Sequence, residues 1–561
     1  DHQTIFSAPN PGGGPNFAAN LSNTNNTGAI LSGIAPNADL RGVNLAGVRL
    51  STPGFNGLMD QTTVFSIPNP AGGGNIGANL SGSDANLANR GNMAVDFRGV
   101  NLSGVNFANT DLSNAQFDQF TVFSSHDPGS GQSSAAYLGN TSANLANIPF
   151  VNVDFRGVNL AGVNLSNADL SSAQFDHQTI FSASPDATFA ANLSNSNGTG
   201  AILSGIAPNA DLRGVNLAGV RLSTPGFHGL MDQTTVFSIP NPAGGGNIGA
   251  NLSGSGASLI NTPMGTVDFR GVNLSGVNLS NSDLANALFD DFTVFSSHDS
   301  GLGQSAAANL LGTGANLANI PFGSVDFRGV NLAGVNLSNA NLSNALFDHQ
   351  TVFSAPNPAG GPNFAANLSN TNNTGAILSG IAPNADLRGV NLAGVRLSTP
   401  GFNGLMDQTT VFSIPNPAGG GNIGANLSGS DANLANRGNM AVDFRGVNLS
   451  GVNFANTDLS NAQFDQFTVF SSHDPGSGQS SAAYLGNTSA NLANIPFVNV
   501  DFRGVNLAGV NLSNADLSSA QFDHQTIFSA SPDATFAANL SNSNGTGAIL
   551  SGIAPNADLR G

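Results

Sequence analysis

Few residues of this chain could do chemistry, and those few recur on a beat. Eight histidines, His2, His126, His177, His228, His298, His349, His473 and His524, mostly stand beside an aspartate. Imidazole and carboxylate are both metal ligands. The positions that correspond to His2 in other repeats hold Gln or Asp, however, and no H-x-x-x-H spacing occurs. The expectation is no metal and no cofactor. Aspartate and arginine stand two apart in the string D-(F/L)-R-G, as in Asp39/Arg41, Asp96/Arg98 and Asp154/Arg156, and the string returns throughout the chain. On a surface such a pair is worth ~0–1 kcal/mol. The sharper chemistry is intermolecular: Asp39, Arg41, Asp96, Arg98, Asp154 and Arg156 are candidates for ion pairs between neighbouring rods, one charged contact per repeat. Aspartates in turns invite calcium, but neither the G-G-x-G-x-D nonapeptide nor an EF-hand loop is present, and turn preference accounts for them. Gly72-Gly73-Gly74 is not followed by a Gly-Lys of a phosphate loop, and no Ser/His/Asp triad or nucleophile elbow is found. No catalytic residue is expected, and the chain reads as non-enzymatic.

Composition bounds the elements that must position these residues. The 561 residues include no Cys, no Trp and two Tyr (Tyr137 and Tyr484), and no Lys or Glu, so all 15 basic residues are Arg and all 33 acidic ones Asp. Charged residues make up 9% of the chain, against roughly 25% in an ordinary soluble domain. Ala sits among Asn, Gly and Ser, which prefer caps and turns, so long helices are disfavoured. Missing Cys excludes a disulfide scaffold and thiolate–metal chemistry. No apolar run approaches the ~18 residues that would span a bilayer as a helix. A net charge of −18 spread over 561 residues argues against nucleic-acid binding, which needs basic patches. The chain opens at Asp1, as a processed form or a window of a longer chain would.

The chain is a nest of repeats, the feature to seek first. The string D-x-x-T-(V/I)-F starts at Asp1, Asp60, Asp118, Asp176, Asp232, Asp290, Asp348, Asp407, Asp465 and Asp523, in steps of 56 to 59 residues. It divides one continuous solenoid, 1–561, into units 1–59, 60–117, 118–175, 176–231, 232–289, 290–347, 348–406, 407–464, 465–522 and a partial 523–561. Three units make a block, marked by Asp-His-Gln-Thr at Asp1, Asp176, Asp348 and Asp523. Residues 1–214 return at 348–561 with two changes, Ile5 to Val352 and Gly12 to Ala359. A chain that copies itself so closely leaves little room for a unique active site.

Within each unit lies a period of five. Large apolar residues fall at Leu145, Phe150, Phe155, Leu160, Leu165, Leu170 and Phe175, and again from Leu317 to Phe347 and from Leu492 to Phe522. Five is neither the 3.6 of a helix nor the 2 of a strand; it fits a chain that turns a corner every five residues with position three inside. Those seven residues are the expected core ladder. Ala38-Asp39-Leu40-Arg41-Gly42, Val43-Asn44-Leu45-Ala46-Gly47 and Ala168-Asp169-Leu170-Ser171-Ser172 resemble the consensus A-(D/N)-L-x-x of the pentapeptide-repeat family. The resemblance implies an all-β fold, a right-handed quadrilateral β-helix with four pentapeptides per coil. After each T-(V/I)-F comes a stretch rich in Pro, Gly and Ser, such as Ala8–Pro15, Ile67–Gly74 and His126–Gly131. Pro and Gly interrupt ladders, so these read as periodic loops lined up along one edge. Two and a half to three coils per unit at about 4.8 Å each give an elongated rod.

The uncapped repeat, with strand ends that recruit strands, predicts either continuation in a longer chain or end-to-end stacking, which makes a filament when the contact does not close. A surface rich in Asn, Ser and Thr and poor in charge favours association. The expected function is therefore structural: an extracellular or cell-surface fibre, sheath or surface layer whose partner is itself, end to end and laterally, with no nucleic acid and no membrane span. The alternatives are an acidic rod that mimics DNA and inhibits topoisomerases, as the family resemblance implies, or an adhesin stalk.

Overall fold

The computed structural model describes all residues except 2, 26–27, 127–132, 183–188, 254, 263, 300–303, 429, 474–479, 530–536, 543–544, 552 and 561. The chain forms two compact bodies, Asp1–Asn278 and Leu279–Gly561. Among the described residues there is no helix, and the strands are two to four residues long.

Each pentapeptide makes one short face and one corner. Asp39 Oδ1 accepts the backbone N–H of Arg41 at 3.0 Å, and Asn44 and Asn101 do the same for Ala46 and Ser103 at 3.1 and 3.0 Å. The chain then turns: the Val43 N–H donates to the Leu40 carbonyl at 3.1 Å across Gly42, whose φ is 75°. A type II turn requires that left-handed conformation at its third residue. Gly adopts it freely and Asn tolerates it, which is why Asn109 and Asn167 hold equivalent corners with φ of 57° and 55°. Position two of the pentapeptide thus closes the corner with its side chain, position five makes the corner, and position three goes inside.

Coils stack by parallel pairing. Asn86 pairs with Asn106, Asn144 with Asn164 and Asn316 with Asn336, and in each pair the side-chain amides bond along the stack across 20 residues of sequence. A plain coil therefore has four five-residue faces. The interior is one side chain deep. Leu145, Phe150, Phe155, Leu160, Leu165, Leu170 and Phe175 are all buried, Phe175 the most open at 7%. Rings form a column in the first body, with centroid spacings of 5.1 Å for Phe65–Phe97, 5.7 Å for Phe97–Phe117, 5.3 Å for Phe123–Phe155 and 5.9 Å for Phe155–Phe175. The second body has the matching column Phe412–Phe444–Phe464–Phe470–Phe502–Phe522–Phe528.

The stretches read as loops are antiparallel hairpins. In the first body Ser7–Ala8 pairs with Phe17–Ala18, Ser66–Pro68 with Asn75–Gly77, Ser124–His126 with Ser133–Ala135 and Ser238–Pro240 with Asn247–Gly249. In the second, Ser296–Asp299 pairs with Gln304–Ala307, Ser354–Ala355 with Phe364–Ala365, Ser413–Pro415 with Asn422–Gly424 and Ser471–His473 with Ser480–Ala482. Single bridges, Ser182 to Ala190 and Ser529 to Ala537, hold the same place in the two remaining repeats. Pro68 fits because a two-stranded ribbon has free edges, where a missing N–H goes unnoticed. The Asp127–Gly131 part of the expected loop lies outside the described residues.

The hairpins do not share one edge. The hairpin at 66–77 leaves the face of Asn20, Asn44 and Val64 and enters that of Arg49 and Asn79. The next leaves the face of Asn79, Asn101 and Val122 for that of Asn106 and Tyr137; the next leaves Tyr137, Asn159 and Ile180 for Asn164 and Asn192; the next leaves Asn192, Asn216 and Val236 for Arg221 and Asn251. Asn44 and Arg49, Asn101 and Asn106, Asn159 and Asn164, and Asn216 and Arg221 are each one pentapeptide apart. Every repeat therefore makes two coils and one further face, and each hairpin emerges one corner beyond the last. The second body steps in the same way through Asn331 and Asn336, Asn391 and Arg396, Asn448 and Asn453, and Asn506 and Asn511. Two and a half to three coils per repeat was an overestimate, because the hairpin takes up chain that adds no face.

The two strings that mark the repeat are bonded to each other one coil apart. Thr121 Oγ1 donates to the Phe97 carbonyl at 3.0 Å, and Asp118 Oδ1 accepts the Gly99 N–H at 2.9 Å. The serine that opens each hairpin reaches the next D-(F/L)-R: Ser66 Oγ donates to the Arg98 carbonyl at 2.7 Å and Ser124 Oγ to the Arg156 carbonyl at 2.6 Å.

Candidate binding clefts beside the aspartate–arginine pairs

Each arginine of D-(F/L)-R closes on its own aspartate. Arg41 donates from Nε to Asp39 Oδ1 at 3.0 Å and from Nη2 to Oδ2 at 2.7 Å. Arg98 and Arg156 hold Asp96 and Asp154 the same way, with Nη2–Oδ2 distances of 2.6 and 2.7 Å. With the backbone N–H of the arginine included, one carboxylate receives three donors, a bidentate geometry that carboxylate and guanidinium match well. The Arg41 hydrogen bond holds the Asp39 carboxyl below the usual carboxylate range although burial pushes it the other way. Asp39 in turn raises the Arg41 guanidinium. Neutralisation is complete within the pentapeptide, so a neighbouring molecule is not needed to balance these charges.

Ten arginines are paired in this manner. Among the described residues Arg49, Arg90, Arg221, Arg396 and Arg437 form no ion pair. Two of these five line clefts. In the first body a cleft of about 300 Å³ lies between the coil of Met59, Asp60 and Gln61 and the coil of Arg90, Asn92 and Met93, with Arg41 at its margin. The second body carries the same cleft, at about 460 Å³, between Met406, Asp407 and Gln408 and Arg437, Asn439 and Met440, beside Arg388.

The chain builds the cleft by breaking the beat. At Arg90-Gly91-Asn92 the coil departs from regular faces. The Arg90 N–H donates to Thr110 Oγ1 at 3.1 Å and its Nη2 to the Gly57 carbonyl at 3.2 Å, while its Nε is buried without a partner. Arg437 repeats this with Thr457 at 3.1 Å and Gly404 at 3.0 Å, and its Nε is again buried and unpartnered. Opposite, Asp60 Oδ1 accepts the Thr62 N–H at 2.8 Å, and Asp407 that of Thr409 at 2.8 Å. Met59 and Met93 are buried, whereas Leu58 is 41% exposed at the rim. In the middle block the corresponding string is Asn261-Thr262-Pro263-Met264, which brings no arginine.

Of the cleft residues the sequence singles out only Arg41 as a site candidate, and that for ion pairs between rods; Gln61, Arg90, Asn92 and their copies are not singled out. The available signal was that Arg90 and Arg437 stand off the D-x-R beat. The histidines gather into no site: among the described residues no group of three or more His and Asp side chains is placed to hold a metal ion. His228 Nδ1 lies 3.1 Å from the Gly226 carbonyl of its own turn. His2, and the side chains of His126, His298 and His473, lie outside the described residues. Among the described residues no helix is long and apolar enough to cross a membrane.

The family model described as "Pentapeptide repeats" matches in eight copies, over residues 93–119, 141–177, 248–291, 313–348, 440–466 and 488–524. No curated protein matches the chain. Among solved structures, HetL, a pentapeptide repeat protein involved in heterocyst differentiation regulation from the cyanobacterium Nostoc, is 15% identical over 70% of this chain and 91% of its own, with a TM-score of 0.09. Full-length QnrB1, a plasmid-mediated fluoroquinolone resistance protein, is 13% identical over 48% of this chain and 85% of its own, with a TM-score of 0.10. At such TM-scores the superpositions carry no argument about shape.

Proposed function

Since the chain is a pentapeptide-repeat protein, we propose that it is a non-enzymatic structural protein that associates with copies of itself into a fibre, sheath or surface layer outside the cell or on its surface. The observation that carries this reading is the stepping register. Because each repeat advances two coils and one face, a feature of the repeat is presented on all four sides of the stack over four repeats. A contact that one copy makes with another is then available in every lateral direction, and many weak contacts add by multivalency. The amide ladders suit such contacts: Asn109 bonds Asn89 at 3.2 Å and Asn140 bonds Asn109 at 2.9 Å, on exposed corners that carry little charge. A surface without lysine and with ten clamped arginines also offers proteases few openings, as an external coat needs. The right-handed coil of pentapeptide repeats is part of the proposal.

Electron microscopy of native, unrefolded material tests it. Filaments or sheets are expected, with an axial period of about 32 Å for the three-repeat block, from nearly seven coils at about 4.8 Å each. Monodisperse single molecules at high protein concentration would overturn it.

A further inference from the structure

We propose that the two clefts are saccharide-binding sites, one in each body, which take a neutral pyranose unit by its hydroxyl groups. The proposal does not depend on assembly. It starts from the polar residues that line the cleft: Asp60 and Gln61 from one coil, Arg90 and Asn92 from the next. All four end in planar groups with two polar atoms side by side, the geometry that grips a pair of adjacent hydroxyls, and together they supply both donors and acceptors. Leu58, exposed at the rim of the same cleft, gives it an apolar patch against which the C–H face of a sugar ring can lie, with the buried Met59 and Met93 behind it. Volumes of about 300 and 460 Å³ fall at the lower end of small-ligand pockets, roughly 300–1,000 Å³.

Charge separates a neutral sugar from an anion. Arg41 is already neutralised by Asp39, and the remaining cation, Arg90, shares the cleft with the carboxylate of Asp60. The site is balanced as it stands, in a chain of net charge −18, so an incoming anion would meet excess negative charge. The guanidinium nonetheless has an unmet need. The Nε of Arg90 and of Arg437 is a buried donor that no described residue accepts, and such a group carries a desolvation cost. Solvent does not reach that nitrogen, so a ligand in the cleft meets the outer edge of the guanidinium and not its Nε. The middle block, with Thr262 where the others have arginine, is the chain's own version without this group.

The test is saturation-transfer difference NMR on the full chain with glucose, galactose, mannose, N-acetylglucosamine and cellobiose, and with galacturonate and acetate as charged probes. Transfer to the ring protons of at least one neutral sugar is expected. Affinity for it should fall about tenfold, the worth of a hydrogen bond to a charged group, in the double variant Arg90→Thr with Arg437→Thr, which borrows the residue found at Thr262. The separate pair Gln61→Leu with Gln408→Leu, at exposed positions, should weaken it too. Absence of transfer to every neutral sugar, undiminished transfer in both variants, or a response confined to galacturonate and acetate would overturn the proposal. None of these outcomes bears on whether native material forms filaments.

Discussion

Truncating Phe155 is a perturbation whose size and reach the structure sets. The side chain is fully buried, with rings on three sides: Phe123 at 5.3 Å, Phe150 at 5.8 Å and Phe175 at 5.9 Å. Phe→Ala in a packed interior costs about 3–5 kcal/mol, and three aromatic neighbours, each worth roughly 0.5–1.5 kcal/mol beyond area, place this site near the top of that range. Because coils touch only adjacent coils, the loss should stay local. The twin residue Phe502, with rings at 5.4, 5.7 and 5.8 Å, is an untouched control in the same molecule. Hydrogen exchange read by mass spectrometry can tell the two apart, since the substitution itself changes the mass of one of two otherwise identical peptides. In Phe155→Ala the amides of Phe155 and Leu160, which donate to Gln174 and Ile180 at 2.9 and 2.7 Å, should lose about three orders of magnitude of protection, at about 1.4 kcal/mol per decade. The twin peptide around Phe502 should not change. Equal protection in both peptides would refute the packing argument, and equal loss in both would refute the nearest-neighbour one.

Gly77→Ala should abolish folding of its hairpin, because a Cβ there would stand 2.2 Å from the Gly99 carbonyl oxygen; Gly72→Ala, at φ 79° with nothing within 4 Å, should cost only the turn strain, about 1 kcal/mol, and thermal melts of the two variants compare them directly. Acid should weaken the chain in a defined window. The folded carboxyls of Asp39, Asp111 and Asp458 lie below their ordinary value and that of Asp558 falls to about 2, so their contribution is full above the unfolded pKa of about 3.9 and lost as pH falls through the lower folded values; denaturation midpoints should therefore hold from pH 7 to about 4.5 and drop below that, and a midpoint rising on acidification would contradict the assignment. Trypsin should cut the native chain slowly and first at one of the five arginines that no carboxylate holds among the described residues, Arg49, Arg90, Arg221, Arg396 or Arg437, with peptide mapping of early time points as the readout; early cleavage at Arg98 or Arg156 would count against the clamp.

What the sequence could and could not reveal follows from where each rule acts. The inward Leu and Phe ladder was legible because a five-residue period leaves one large apolar position per corner, and the corner chemistry was legible because only Gly and Asn sit comfortably at the turn. Four faces to a coil came from family resemblance, and the pairing of Asn86 with Asn106 supplies it independently. The stepping of the hairpins was hidden because it depends on a remainder. A repeat of 58 residues holds nine faces only once the hairpin is subtracted, and no local pattern says that the Pro- and Gly-rich stretch returns to the face next to the one it left. The clefts were hidden for a related reason. Arg90 meets Gly57 across 33 residues, so its neighbours are set by the coil count and not by its own string. The remainder also has consequences for assembly. Were each repeat a whole number of coils, every hairpin would stand on one corner and the remaining sides would be plain, so lateral contacts would build at most a ribbon. One extra face per repeat turns the same sequence through all four sides of the stack within each body, which is what the proposed self-association would use to make contacts in every lateral direction. Labels on Gly13 and Ala243, in the first and fifth hairpins of the first body, test this: they should share a corner and sit about 43 Å apart, nine coils at about 4.8 Å, whereas labels on Ala71 and Ala243, three corners apart, should not align along the stack.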